Sequence, residues 1–88
     1  MQVQLEERIR EIVNRYDPIK LIKGGAPDDE YAPEVKMIAE AFNETKSESA
    51  LKNRVYSIFV EMFGRDVAGK KNRYRRLAQE IWKRLSIL

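Results

Sequence analysis

Apolar residues recur at three- and four-residue spacing in four stretches of this chain, the signature of helices that each bury one face. In the first, Leu5, Ile9, Ile12, Val13 and Tyr16 line one side of a helix expected from Gln2 to Tyr16. Its other side is ionic, with Glu6 and Arg10, then Glu11 and Arg15, as i,i+4 pairs in the favourable orientation. Pro18 disfavours helical geometry at Asp17 and ends the pattern. The second stretch opens on Pro33 and Glu34, continues through Val35, Ile38, Ala39 and Phe42, and should stop near Asn43 or Glu44. The third, from about Ser47 to Phe63, carries the heaviest apolar load: Leu51, Val55, Ile58, Phe59, Met62 and Phe63, widened by Tyr56 and Val60. The fourth has the clearest period, with Tyr74, Leu77, Ala78, Ile81, Trp82 and Leu85 on one face.

The connections carry their own signals. Thr45 with Glu48 matches the capping-box spacing and Ser47 is an equally good cap, so both starts stay open for the third helix. Gly64 is placed as that helix's left-handed cap, with Asp66 available to cap the next one. The break between the first and second helices is long and holds all three prolines. There Asp17-Pro18 reads as a capped start of a short turn through Ile19, Leu21 and Ile22, Gly24-Gly25 lets the backbone reverse, and Pro27 with Asp28, Asp29 and Glu30 could open another turn. Alternation of period two is missing over any useful length. The expected fold is therefore all-α: a small four-helix bundle, one domain over residues 1–88, with an extra helical turn in its long first loop.

Composition narrows the chemistry. There is no cysteine and no histidine, which removes thiolate nucleophiles, thiolate metal sites and the commonest general base and metal ligand. With 43% apolar residues the chain can build a core, but no uncharged run approaches the roughly 18 residues of a membrane span. The first residues alternate acid and base without an apolar signal segment, so a cytoplasmic location is expected by default.

Charge changes the picture more than its total of +3 suggests. Between Asp28 and Glu48 seven acids face Lys36 and Lys46, whereas between Lys70 and Arg84 seven bases face Glu80 alone. Two such segments either attract each other in the fold or form separate solvated faces. Lys70, Lys71, Arg73, Arg75 and Arg76 crowd the start of the last helix, where cations oppose the helix dipole. A helix, a glycine turn and this basic helix also mimic half of a helix-turn-helix unit, with Asn72, Arg73 and Arg76 as the readers. Asp28, Asp29, Glu30 and Tyr31, with the helix ends beside them, are the expected surface for a protein partner, a charged loop bracketed by proline and glycine. Tyr31 is open to two roles, packing its ring to anchor the loop or presenting its tip to a partner. The adjacent acids lack the spacing and the glycine of a calcium loop, and Lys23-Gly24-Gly25 lacks the serine/threonine and second glycine of a phosphate loop.

The combination of Asp17-Pro18-Ile19 with Pro27-Asp28-Asp29-Glu30-Tyr31, followed by Phe63-Gly64 and an Ala78-containing last helix, resembles the YugE-like family of small uncharacterised bacterial helical proteins. This chain has Tyr16 where that family usually has tryptophan, Lys20 where a glycine often follows Asp-Pro-Ile, and Ala32 where the acidic motif often continues. The resemblance implies an all-helical fold without known enzyme activity, and a place for some relatives in toxin and immunity loci. Together, these readings point to a non-enzymatic protein-interaction module, immunity-like or regulatory, with an unidentified protein partner. They call for no cofactor, metal or membrane. Weak nucleic-acid binding through the basic final helix is the alternative, and a homodimer is open because so small a bundle often leaves one apolar face uncovered.

Overall fold

A computed structural model describes residues 2–21, 23–25 and 30–86. Four helices follow in order: α1 (Gln2–Tyr16), α2 (Ala32–Glu44), α3 (Glu48–Ala68) and α4 (Arg75–Leu85), the last preceded by a 3-10 turn over Lys71–Tyr74. The fold is all-α, and the described residues contain no strand. α1 packs on α2 and α4, and α3 packs on the same two neighbours, so the helices stand in ring order. The core comes from the apolar stripes: Ile9, Ile12 and Val13 of α1, Val35 and Ile38 of α2, Leu51, Val55 and Phe59 of α3, and Leu77, Ile81 and Leu85 of α4. Phe59 sits at the centre of an aromatic group, with ring centroids 6.0 Å from Tyr31, 5.1 Å from Tyr74 and 5.7 Å from Phe63. Trp82 and Tyr56 are half-buried, Trp82 meeting Phe42 edge-on at 5.7 Å and Tyr56 lying 6.0 Å from Tyr74.

The element boundaries follow local chemistry. α1 ends where Pro18 requires it, and Asp17 closes the end with a left-handed φ of 47° while its N–H donates to the Val13 carbonyl. Of the two caps open for α3, Ser47 is the one used: its hydroxyl accepts from the Ala50 N–H at 3.1 Å. The Thr45 hydroxyl is buried without a partner among the described residues.

Gly64 does interrupt α3, but not as a terminal left-handed cap. Its φ of 85° and ψ of 160° lie in the mirror-extended region that is essentially reserved for glycine, and the chain resumes helical geometry up to Ala68. Asp66 falls inside that resumed segment and does not start the last helix. Lys70 occupies the N-cap of the 3-10 turn, with no side-chain cap bond, and α4 has no acid in its first turn. Tyr16, expected in the core, is 38% exposed.

Candidate functional site

The first loop is built around one carboxylate. Asp17 was expected to cap a helical turn starting at Pro18, but the chain here forms non-helical turns. One Asp17 oxygen accepts from the Lys23 N–H at 2.8 Å, and the other accepts from the Tyr31 hydroxyl at 2.6 Å. The Tyr31 oxygen in turn accepts longer bonds of 3.4 Å from the N–H groups of Ile19 and Leu21. Tyr31 is fully buried, so of its two open roles it takes the anchor, with its ring in the core and its hydroxyl gathering the loop. Burial, reinforced by the hydrogen bond to Asp17, pushes its phenol well above the usual tyrosine range. Of the acidic candidates, Glu30 is exposed, while Asp28 and Asp29 lie outside the described residues, as do Ile22 and Pro27.

Glu34 was not foreseen as an interior residue. It is 2% exposed in the first turn of α2, and its Oε1 has no partner among the described residues. Burial raises its carboxyl above the ordinary value of 4.5, and the nearby Glu30 adds to that direction. Among the described residues no three acids gather into a group able to hold a metal ion.

The basic cluster divides in two. Arg73 is committed to the fold: one guanidinium nitrogen lies 3.1 Å from the Pro18 carbonyl oxygen, 3.1 Å from that of Val67 and 3.0 Å from that of Ala68. A cation placed on the last carbonyls of a helix satisfies acceptors that the helix itself cannot. The Ala68 carbonyl also accepts the Tyr74 hydroxyl at 2.5 Å. Lys71 rests its ammonium 5.6 Å from the centre of the Tyr56 ring. Lys70, Arg75 and Arg76 are exposed and have no anionic partner among the described residues. Of the three readers in the helix-turn-helix reading, Arg73 is therefore engaged in carbonyl capping.

What periodicity along the last helix did not reveal is that α1 adds to the positive field. An open groove of about 520 Å³ between the end of α1 and α4 is lined by Tyr16, Arg75, Arg76, Gln79, Glu80, Lys83 and Arg84. A second groove of about 280 Å³ adjoins it, lined by Arg8, Glu11, Ile12, Arg15, Arg84 and Leu85. Glu80 ties the two helices together: it pairs with Arg15 of α1 and, at 3.0 Å, with Arg84, and it accepts the Tyr16 hydroxyl at 2.8 Å. Arg15 also lies 5.9 Å from the centre of the Tyr16 ring. Six cationic side chains thus face two carboxylates along one side of the bundle.

The acidic and basic segments keep to separate faces among the described residues. The acidic segment's Glu44 pairs with Arg54 at 3.0 Å, and the basic segment's ion pairs run to Glu80. No helix of the described residues is long and apolar enough to cross a membrane. Compared with protein-family models, curated proteins and solved structures, the chain has no match in any of the three.

Proposed function

We propose that this chain is a non-enzymatic protein-interaction module that receives an acidic segment of a partner protein along its α1/α4 face. The observation that carries this reading is the set Arg75, Arg76 and Lys83, exposed beside one another without an anionic partner among the described residues. Arginine forks suit carboxylates, and exposed cations collected in a groove raise the local concentration of an acidic ligand. Tyr16 adds an exposed aromatic surface in the same groove, the kind of amphipathic contact enriched at interfaces.

The acidic loop takes a supporting part in this reading. With Tyr31 turned inward, Glu30 is the described residue of that quartet left to meet a partner. Membership in the YugE-like family belongs to the same proposal. It rests on the sequence resemblance alone, the pairing of Asp17-Pro18-Ile19 with Pro27-Asp28-Asp29-Glu30-Tyr31.

Fluorescence anisotropy with a labelled poly-glutamate peptide tests the function. The expected result is binding at low salt that weakens as salt rises, and at least a tenfold loss in an Arg76→Ala, Lys83→Ala variant. Equal binding by that variant would remove the groove from the reading. Tighter binding to a labelled duplex of matched charge, with a steep salt slope, would favour the nucleic-acid alternative.

A further inference from the structure

The ring order of the helices places the α2/α3 groove on the side of the bundle opposite the α1/α4 groove. The α2/α3 groove, about 280 Å³, is lined by Glu40, Glu44 and Glu61 together with Arg54, Met37 and Ile58. Arg54 is taken by Glu44, which leaves Glu40 and Glu61 without a cation among the described residues. Met62, one turn beyond Ile58, is 39% exposed. Methionine is unbranched and polarisable, and it adapts to irregular apposed surfaces. One side of the molecule therefore carries unpaired carboxylates around methionines, and the other carries unpaired cations around an exposed tyrosine.

We infer that the occupant of the α1/α4 groove is a second copy of this chain, presenting its α2/α3 face in head-to-tail association. The inference rests on the proposed reading of that groove as an acceptor of acidic protein surface, and it names the partner. Arg76 and Lys83 lie seven residues apart on α4, two turns or roughly 10.5 Å along the axis, and meet the Glu40 and Glu61 of the next copy. Because the two faces differ, the contact is heterologous. Each copy that joins leaves one face of each kind open, and growth does not stop at two.

Sedimentation of the intact chain over a range of concentrations tests this. At about 0.01 M salt, where the Debye length is roughly 30 Å, the average mass is expected to rise past that of a dimer; at about 1 M, where it is roughly 3 Å, the monomer should return. Two variants then separate the faces: Arg76→Ala with Lys83→Ala, and Glu40→Gln with Glu61→Gln, each checked for unchanged helicity by circular dichroism. Each alone is expected to stay monomeric, and an equal mixture to form a one-to-one dimer that grows no further. A wild-type monomer at every concentration, a closed wild-type dimer, or a mixture that fails to pair would overturn the inference. Poly-glutamate binding by the Glu40→Gln, Glu61→Gln variant keeps the two failures apart. If that variant binds the peptide while wild type stays monomeric, the groove reading stands without self-association; if it does not bind, the groove reading falls.

Discussion

At Tyr31 one hydroxyl does the work of a small secondary-structure element. It joins the Asp17 carboxylate to two backbone N–H groups, while its ring fills the core beside Phe59. Tyr31→Phe keeps the ring and removes the bridge, leaving an Asp17 oxygen without its phenol donor. The expected loss is about 1.5–3 kcal/mol in urea unfolding, the usual contribution of a hydrogen bond to a charged group. Glu34 acts in the opposite direction, because burial favours its neutral form. Below its ordinary value of 4.5 the carboxyl is protonated in both the folded and unfolded chain and carries no penalty. As pH rises through that value the unfolded chain ionises first, and stability falls until the raised folded pKa is passed. Glu34→Gln is therefore expected to be more stable than wild type near neutral pH, by on the order of 1 kcal/mol. Thermal melts of both proteins from acid to neutral pH should show the gap opening as pH rises.

At the scale of elements, two glycines shape the passage from α3 to α4. Gly64 and Gly69 both hold glycine-only backbone angles, with φ of 85° and 82°. A Cβ at Gly64 would meet nothing within 4 Å, whereas one at Gly69 would lie 2.6 Å from the Arg73 Cζ. Gly64→Ala is thus expected to cost about 1–3 kcal/mol through backbone strain alone. Gly69→Ala should cost more, because it also displaces the guanidinium from its carbonyls. Placing each substitution in an Arg73→Ala background and measuring unfolding should bring the two costs together, a double-mutant cycle in which the excess is the Arg73 term. These elements also mark what could be read beforehand. The stop of α1 at Pro18, the start of α3 at Thr45 or Ser47 and the stripe from Tyr74 to Leu85 could be read because their signals are local in sequence, whereas the helical turn expected after Asp17 did not form. The inward turn of Tyr31, the outward turn of Tyr16 and the capping role of Arg73 were not legible. Each depends on which helix ends meet: Tyr16 turns out because Glu80, 64 positions later, accepts its hydroxyl, and Arg73 reaches the Pro18 carbonyl across 55 positions. The basic groove was half legible, since the α4 cations stand together in the chain while Arg8 and Arg15 join them only through the packing of α1 on α4.

For the whole molecule, the charged faces and the aromatic centre are largely independent. The cations of the groove lie outside the core, so replacing Arg76 and Lys83 should leave the packing around Phe59 intact. Arg73 is different, because its guanidinium fastens three pieces that are otherwise far apart in the chain: the first loop at Pro18, the segment after Gly64 at Val67 and Ala68, and the 3-10 turn that carries it. In dynamic terms, those pieces are set to open together. Among their backbone donors, the Lys23 amide is held by Asp17, the Gly69 amide by the Arg65 carbonyl and the Arg73 amide by the Lys70 carbonyl. In native-state hydrogen exchange these three protons should share one opening free energy. Arg73→Ala should split them, with Lys23 exchanging on its own schedule while the helical amides of α1 and α3 keep their protection.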